Sequence, residues 1–463
     1  MRISPPWGLA LLLAVPTVQA EPLAFDAALQ QARQASGSVR GAELNAQARQ
    51  LQAQALDRLG WPTLSAGGFA GRLSNTLSVD TSGLAGALNP ALDTLGAVFP
   101  SASVPQVPDL YTTSRQTNLA SVGLSSVWPV YTGGRLSALQ DLAAGRAREA
   151  EVEHTEADDQ LATLAAQRYF TVPLARQALA LREAASQGIG EHLRAAQLLE
   201  QQGLIARTER LKAEVALATA RRDEAKARSD LALAELALQR LLAAPQPVQP
   251  STPLFVHSAG VGPLAGFVDA AMAHHPAWAK LAAKREQADA QRRLSGTPGA
   301  PNVAALAHYN YNGGRHQTLQ PNWQVGVVVS LPIFGAVDHG RLREAARLDQ
   351  ARVELSAAQA ERDVPTLVES QWRALENARA QFQTTAASIE LSREQLRLAR
   401  IAFQNAQATS VEVTDAQLGL AKAQIERSQA AFDYVMALAR LLEACGQPQR
   451  LPELAASADT RIE

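Results

Sequence analysis

The sequence has one cysteine, few aromatic residues and no excess of either charge. Cys445 stands alone, so a framework of internal disulfides is excluded. Aromatic residues make up 5% of the chain, which is low for a conventional globular core. Lys and Arg number 43 against 44 Asp and Glu, so no nucleic-acid partner is expected. Ala, Leu, Gln, Arg and Glu dominate instead, and these residues favour helices.

Long hydrophobic runs are also lacking, because no stretch after the N-terminus reaches about 18 consecutive apolar residues. The first twenty residues show the three parts of a secretory signal peptide. They are a short positive start, an apolar core at residues 7–15 and a small-residue cleavage site at residues 18–20. An ordinary buried N-terminal helix is the alternative. No cysteine follows the cleavage site directly, so we predict an exported chain that is not lipidated.

Motifs for catalysis are lacking as well. The sequence contains no G-x-S-x-G, no P-loop and no dinucleotide-binding glycine pattern. The eight histidines are scattered, and the adjacent pair His274 and His275 has no Cys or carboxylate cluster at ligand spacing. We therefore expect no enzymatic activity, no cofactor and no metal site.

What the chain does contain is an internal duplication. Pro129 and Pro332, 203 residues apart, lie in the similar phrases "WPVYTGG" and "LPIFG". The segment "LKAEVALA" at 211–218 matches "TDAQLGLA" at 414–421 at the same offset. Each half reads as a helix, an extended hairpin, this phrase, a very long helix, a break and a shorter helix. The predicted boundaries are a signal peptide at 1–20, a first repeat at 21–243, a Pro-rich linker at 244–263, a second repeat at 264–446 and a tail at 447–463.

The two longest helices are too long for a compact domain. About 67 residues before Gly203 and about 64 before Ala406 correspond to roughly 100 Å and 95 Å at 1.5 Å per residue. Pro173 and Pro365 lie inside them, and we expect each to bend or locally interrupt its helix. Apolar residues with a period of seven predict left-handed coiled coils. They are Ile389, Leu396 and Phe403, and Val411, Leu418, Ile425 and Phe432.

Alternating residues predict four strands in two hairpins, at 62–131 and 301–335. In "NWQVGVVVSLPIF", Trp323, Val325 and Val327 share one face, as in a transmembrane strand with one face towards lipid. A soluble sheet packed on helices is the alternative. Because four strands cannot close a barrel and an open edge is not tolerated in lipid, a membrane barrel would need several chains. The connections at 82–114 and 313–321 would then be extracellular loops.

The order and spacing of these segments, over about residues 23–446, resemble the TolC-type outer-membrane efflux proteins. The shared marks are the duplication, the opening "AFDAALQQA", the two proline phrases, "VEVTDAQLGLAKA" and the terminal "ALARLLEACG". The resemblance implies a mainly α fold with a small β part: duplicated long coiled-coil hairpins and four transmembrane strands per protomer. A homotrimer would close one shared β-barrel, continued by a periplasmic α-helical tunnel.

The implied function is the exit duct of a tripartite efflux or type I secretion system in outer-membrane lipid. Docking of a periplasmic adaptor and an inner-membrane transporter would open it. A periplasmic coiled-coil adaptor or structural protein is the alternative, and it would carry a single helical hairpin between β-rich domains.

The resemblance also assigns roles at two helix tips. The first tip (residues 203–208) includes Gly203 and Leu204, and the second tip (residues 406–411) includes Ala406 and Thr409. Family members usually have Gly where Ala406 stands. Because Ala tolerates left-handed backbone poorly, we expect the second tip to differ in conformation.

The family's aperture segment reads "EVTDA" at 412–416, which places Glu412 and Asp415 one helical turn apart. In a trimer these carboxylates would ring a constriction and favour cations. Two solvated charges on a coiled-coil surface are the alternative. Arg207 and Glu209 at the first tip are expected to join a network that holds the tips closed.

The proline phrases are expected to form two junctions between strand and helix. The prolines would end the strand ladder, the aromatic residues would lie at the membrane interface, and the glycines would let the backbone turn into the helix. The first junction contains Pro129, Tyr131, Gly133 and Gly134, and the second contains Pro332, Phe334, Gly335 and Gly340.

Overall fold

The computed structural model describes residues 22–98, 103–312, 323–333 and 337–462. The predicted signal peptide and the junction residues Phe334 and Gly335 lie outside these ranges. The chain divides into two compact units. The first comprises residues up to Ala53, Leu142–Asp289 and the chain from Leu348 onward, and the second comprises Gln54–Asp141 and Ala290–Arg347. Each unit therefore takes segments from both predicted repeats.

The described residues form the following helices and strands. The helices are α1 (Phe25–Ala35), α2 (Gly37–Leu56), α3 (Ser82–Val98), α4 (Arg135–Gln201), α5 (Arg207–Leu241), α6 (Leu264–His274), α7 (Pro276–Gly296), α8 (His339–Gln404), α9 (Ser410–Ala444) and α10 (Leu451–Ser457). The strands are β1 (Pro22–Leu23), β2 (Thr63–Asp80), β3 (Leu110–Tyr131), β4 (Gln249–Pro250), β5 (Leu254–Val256), β6 (Asn302–Asn312), β7 (Trp323–Ser330) and β8 (Thr460–Ile462).

The two longest helices confirm the lengths predicted for them. α4 has 67 residues and α8 has 66. Both helices continue without a break through their internal prolines, Pro173 and Pro365. The local interruption that the sequence predicted as one outcome at these prolines therefore does not occur. Each is followed by a 35-residue helix, α5 or α9.

The first helix of each half is broken in two, where the sequence predicted one continuous helix. Ser36 ends α1 with ψ 112°, and its hydroxyl accepts the Val39 N–H at 3.3 Å, so it caps α2. His275 ends α6 with ψ 130° because Pro276 disfavours the helical conformation before it. The His275 Nδ1 accepts the Ala277 N–H at 3.1 Å. One side chain thus caps the second segment in each half.

Four long strands form one antiparallel sheet in the order β2-β3-β6-β7. β2 pairs with β3 from Thr63 opposite Val127 onward, and β6 pairs with β7 from Asn302 opposite Ser330. The two outer strands, β2 and β7, each have one unpaired edge among the described residues. Every residue of β7 is exposed, including the valines that share a face with Trp323.

The connection between β2 and β3 contains a helix, α3, where the sequence predicted a loop. Ala85 on this helix is buried. The Asn89 amide donates to the Val107 carbonyl at 3.0 Å and accepts the Val107 N–H at 2.9 Å. α3 is therefore held against the segment that leads into β3.

The core of the first unit is organised around a cluster of aromatic rings. Phe25, Tyr169, Phe170 and Phe255 pack with ring centroids 5.1–5.8 Å apart. The buried Tyr169 hydroxyl donates to the Leu23 carbonyl at 2.6 Å. It also accepts the N–H groups of Ser251 and Thr252, at 3.0 and 2.9 Å.

The predicted linker and tail belong to this core. β5, within the Pro-rich linker, is buried at all three residues and pairs with β8 in the tail. The sequence predicts a linker and a tail here, because prolines and polar residues flank the short apolar runs that form these two strands. Burial of Leu254, Phe255 and Val256 shows that the linker does not merely separate the halves.

Alanines at a spacing of seven form the buried seams of α5 and α9. The α5 seam is Ala213, Ala220, Ala227 and Ala234, and the α9 seam is Ala416, Ala423, Ala430, Ala437 and Ala444. The first four members of each seam are related by the 203-residue offset. On α9 these alanines are buried more fully than the predicted seam residues Leu418, Ile425 and Phe432. The small side chains allow close approach of neighbouring helices.

Candidate functional site at the helix tips

The two tips turn with the same backbone geometry. Gly203 has φ 74° and Ala406 has φ 56°, both in the left-handed region. The Leu204 N–H donates to the Leu199 carbonyl at 2.9 Å, and the Gln407 N–H donates to the Ala402 carbonyl at 2.8 Å. These bonds define the same Schellman ending of the preceding helix. The expectation that Ala406 changes the second tip's backbone is wrong, because the capping bonds hold the alanine in the glycine's conformation.

The N-terminus of α9 is capped by its own residues. The Thr409 hydroxyl accepts the Glu412 N–H at 3.3 Å, and the Glu412 carboxylate accepts the Thr409 N–H at 3.3 Å. This reciprocal arrangement is a capping box, and it adds negative charge where the helix dipole is positive. Glu412 is exposed, with one carboxylate oxygen engaged in the box.

Glu209 connects the two tips. Its carboxylate accepts the Ser410 N–H at 2.8 Å, in the first turn of α9, and pairs with Lys212 at 2.8 Å. These two contacts, with Lys212 first, lower the pKa of Glu209. The structure therefore places Glu209 in a bond between hairpins, and the partner is a backbone amide that sequence reasoning had no means of identifying.

Glu209 and Glu412 are equivalent residues of the two repeats, yet they cap differently. Thr409 supplies a hydroxyl at the start of α9, whereas its counterpart Ala206 offers no side-chain cap to α5. The Glu412 side chain therefore bonds to the N-cap residue of its own helix. Glu209 has no capping hydroxyl to pair with at Ala206, and it reaches across to Ser410.

The other predicted tip charges make fewer contacts. Within the described ranges the side chains of Arg207 and Asp415 form no ion pair or hydrogen bond, and both are exposed. The neighbour Arg210 pairs instead with Glu200, at 2.6 Å, and with Glu214. Leu204, also predicted here, is exposed. Glu412 and Asp415 thus lie on the surface of a single chain, and their role at a constriction stays a prediction.

A small apolar cluster lies behind the tips. Phe403 and Val413 are buried together with Ala196, and they join α8, α9 and α4. The His192 ring packs edge-on against the Phe403 ring, with the two centroids 4.4 Å apart, and His192 is 8% exposed. Burial, and secondarily Arg400, lowers the pKa of His192. Sequence reasoning singled out Phe403 by its heptad position, but a lone histidine on a long helix gave no signal.

This histidine borders a cavity of about 230 Å³ between α4 and α8. The His192 Nε2 is buried without a hydrogen-bond partner in the described part of the chain. Arg400, on the same cavity, donates to the Gln417 amide oxygen at 2.7 Å. A Cβ at Gly188 would meet that amide at 2.9 Å, so the glycine makes room for Gln417. The tip interior is therefore partly polar and tightly spaced.

Sequence comparison identifies the family. The profile of the outer membrane efflux proteins matches residues 28–244 and 267–447. The chain belongs to the outer membrane efflux protein family. A search of curated protein sequences gave no match. The family and the fold confirm the predicted TolC-type architecture, mainly α with a small β part.

Solved outer-membrane channels share the fold of this efflux-family chain. MtrE of Neisseria gonorrhoeae, in its open state, is 18% identical, with 92% of this chain and 89% of that chain covered and a TM-score of 0.73. CmeC of Campylobacter jejuni is 13% identical, with coverage of 94% and 90% and a TM-score of 0.74. VceC of Vibrio cholerae is 16% identical, with coverage of 91% and 96% and a TM-score of 0.71. At such identities the likeness shows the fold alone.

The first junction of this efflux protein contains two glycines with left-handed backbone. Gly133 and Gly134 have φ 61° and 82°. A Cβ on Gly133 would lie 2.3 Å from that of Ala300, so no other residue fits. The prediction that Pro129 ends the strand ladder is wrong, because β3 continues to Tyr131 past an irregularity in the β3–β6 register. Tyr131 is exposed.

The second junction differs. β7 ends at Ser330, two residues before Pro332. Gly340 was expected to turn the backbone, but it lies in the first turn of α8 and has no left-handed φ. Asp338 starts this helix by accepting the N–H groups of Gly340 and Arg341, at 3.0 and 3.1 Å. Asp338 therefore caps the start of α8 at the second junction.

No helix among the described residues combines the length and apolarity needed to cross a bilayer. No group of three or more His, Cys, Asp or Glu side chains among these residues is arranged to hold a metal ion.

Proposed function

We propose that this protein is the outer-membrane exit duct of a tripartite efflux or type I secretion system. Three copies close one β-barrel from their four-stranded sheets, and the long helical hairpins continue it as a periplasmic tunnel. An adaptor and an inner-membrane transporter dock at the helix tips. The observation that carries this proposal is the amphipathic sheet, whose edge strands β2 and β7 are unpaired on one side among the described residues, in a chain of the outer membrane efflux family.

The sheet favours closure by further copies. Unpaired backbone groups in lipid cost several kcal/mol each, so a sheet that spans a membrane must have no free edge. Along β7, Trp323 and Val325 are 68% and 72% exposed, which suits a face towards lipid. Both edges of one chain would be paired by its two neighbours in a twelve-stranded barrel.

The tips favour a closed state held by specific bonds. Glu209 ties the first tip to the start of α9 through the Ser410 N–H. Glu412 and Asp415, both exposed, would line the narrowest point when three copies assemble. A ring of six carboxylates concentrates cations and excludes anions. Opening requires the adaptor to separate the tips, which breaks the Glu209 bond.

Exposed leucines near the tips suit docking by an adaptor. Leu198 and Leu204 on the first hairpin, and Leu391 and Leu398 on the second, are each more than half exposed in one chain. Exposed apolar groups of this kind mark interaction sites. Coiled-coil tips of a periplasmic adaptor present the matching chemistry.

Fractionation of cells that express the full chain tests this proposal. We expect the protein in the outer-membrane fraction, migrating as a trimer without boiling and as a monomer after it. Deletion of the gene is expected to raise the intracellular level of an efflux substrate such as a fluorescent dye. A soluble periplasmic monomer would contradict the channel and favour the coiled-coil adaptor.

A further inference from the structure

The helix α3, between β2 and β3, carries an apolar stripe that its own chain leaves exposed. Leu84, Leu88, Leu95 and Val98 are between 44% and 65% exposed, and Ala91 between them is also exposed. Their spacing alternates four and three residues, which is the a/d pattern of a coiled coil. The stripe therefore has the period of a helix that packs along another helix.

A neighbouring face of α3 already has its partner. Ala85 is buried, Asn89 bonds to Val107 in both directions, and a Cβ at Gly96 would lie 3.9 Å from the Val104 side chain. The segment at 103–109 thus covers this side of the helix and fixes its orientation. In the part of the chain that the structure describes, the stripe is the face of α3 without a partner.

The position of α3 in the fold points to other copies of the chain. α3 directly follows β2, the edge strand whose free side must be paired by a neighbour in the proposed trimer. It lies at the end of the sheet opposite the strand-to-helix junction, because β2 begins at Thr63 opposite Val127 and ends at Asp80 opposite Leu110. In a closed barrel, three copies of α3 would stand on the same rim.

The composition of α3 argues against a lipid surface as the partner. Helices that lie on anionic membranes carry Lys or Arg on the polar face and often Trp or Phe on the other. The α3 sequence has no Lys, no Arg and no aromatic residue, and its single charge is Asp93. An anionic outer leaflet would repel this helix, whereas a leucine stripe of another copy would not.

We propose that the α3 stripes of three protomers pack together as a short three-helix closure over the outer end of the barrel. This inference rests on the trimeric barrel of the proposed function. Leu88 and Leu95 occupy the a positions and Leu84, Ala91 and Val98 the d positions. Each stripe is only about two heptads long, so the closure depends on the barrel, which holds the three helices at high effective concentration. Such a closure opens and closes more easily than the barrel itself.

Disulfide cross-linking in the full chain tests this packing. Leu88→Cys and, as an independent second site, Leu95→Cys are oxidised with copper phenanthroline in isolated outer membranes. Asp93→Cys is the matched control, since Asp93 is exposed on the opposite side of the same helix. The native Cys445 is buried and contributes no background. Covalent dimers are read on a denaturing, non-reducing gel.

We expect covalent dimers for both stripe variants, with at most two of the three chains joined, and at least a fivefold lower yield for Asp93→Cys. Trimer assembly is measured separately for every variant on an unboiled gel. Intact trimers in which neither stripe variant exceeds the control would overturn the closure and leave the trimeric duct standing. Quenching of a fluorophore on Leu88→Cys by bilayer-embedded nitroxides, without cross-links, would overturn it in favour of lipid. Absence of trimers would overturn the duct and the closure together.

Discussion

Gly203 and Ala406 lie 203 residues apart, end the two longest helices and share a left-handed backbone, with φ 74° and 56°. The same offset relates Ala243 and Gly446, with φ 46° and 67°, which end the helices that follow. In each pair one member is glycine and the other is alanine. The duplication therefore preserves the backbone conformation at all four helix ends, even where the residue is unsuited to it.

Replacement of the strained alanine is expected to stabilise the second tip. Ala406→Gly removes a left-handed alanine, whose cost is roughly 1 kcal/mol relative to glycine. We expect a small rise in the midpoint of thermal unfolding of the purified protein. Gly203→Ala is the reciprocal variant, and a lowered midpoint of similar size is expected because no atom would crowd its Cβ. Equal stability of both variants and the wild type would contradict the assigned strain.

Gly446→Ala is expected to be far more damaging than Gly203→Ala. A Cβ at Gly446 would lie 2.4 Å from the His274 carbonyl oxygen, in addition to the left-handed strain. The backbone of α6 cannot move without disturbing the core, so we expect a loss above about 3 kcal/mol and poor assembly. The yield of trimer in outer membranes measures this. A yield equal to that of Gly203→Ala would show that the close approach does not exist.

Loss of the Glu209 carboxylate is expected to loosen the start of α9. Glu209→Ala removes the acceptor of the Ser410 N–H, at a cost of about 1 kcal/mol. Hydrogen exchange of a peptide covering residues 406–414 should become faster. Lys212→Met is the control, because it removes the ion pair and keeps the cap. Unchanged exchange in Glu209→Ala, or an equal effect of Lys212→Met, would contradict the bridging role.

Two adjacent aspartates on α4 are expected to respond oppositely to replacement. Burial, followed by the charges of Asp158 and Glu443, raises the pKa of Asp159 to about 6. The folded state therefore binds this proton more readily than the unfolded state, and the free energy of unfolding falls as pH rises from about 4 through 6. Because asparagine does not ionise, Asp159→Asn removes this fall and should raise the free energy of unfolding by about 2 kcal/mol at pH 7.5.

Thermal unfolding at pH 4.5 and 7.5 measures the effect. The midpoint of thermal unfolding of Asp159→Asn should exceed that of the wild type at pH 7.5, and this difference should largely vanish at pH 4.5. Asp158→Asn is the control and should destabilise at pH 7.5, because Asp158 pairs with Arg33 at 2.8 Å. Destabilisation by Asp159→Asn at neutral pH would show that its carboxylate is favourably paired.

Charge removal at the proposed aperture is expected to change ion selectivity. Glu412→Ala with Asp415→Ala removes six carboxylates from a trimer and should reduce cation selectivity in planar-bilayer recordings. Glu390→Ala with Glu394→Ala removes the same charge from exposed positions of α8 and should leave selectivity unchanged. Selectivity and conductance equal to wild type in the aperture variant would place these carboxylates outside the constriction.

Periodicity made the long helices and the strands predictable. The 3.5-residue and two-residue patterns around Phe403 and Trp323 extend over many turns and residues, and they specify helix and strand strongly. α3 was missed because Pro90 and three glycines weaken its local helix preference. That helix is held by Asn89 and Val107, a contact between segments that a local pattern does not encode.

The tip site was predictable in position and less so in its contacts. The duplication located both turns, but nothing local distinguishes Glu209, which bonds across to Ser410, from Glu412, which bonds to its own Thr409. The difference arises from the hydroxyl that is present at Thr409 and absent at Ala206, and from the packing of the two hairpins. His192 acquires its lowered pKa only through tertiary burial against Phe403.

Electron cryo-microscopy of the full protein, extracted from outer membranes, would show directly whether three chains close one barrel. We expect three chains around one axis, with β2 of each chain hydrogen-bonded to β7 of the next in a closed twelve-stranded barrel. A particle in which β2 and β7 remain unpaired, or pair within a single chain, would contradict it.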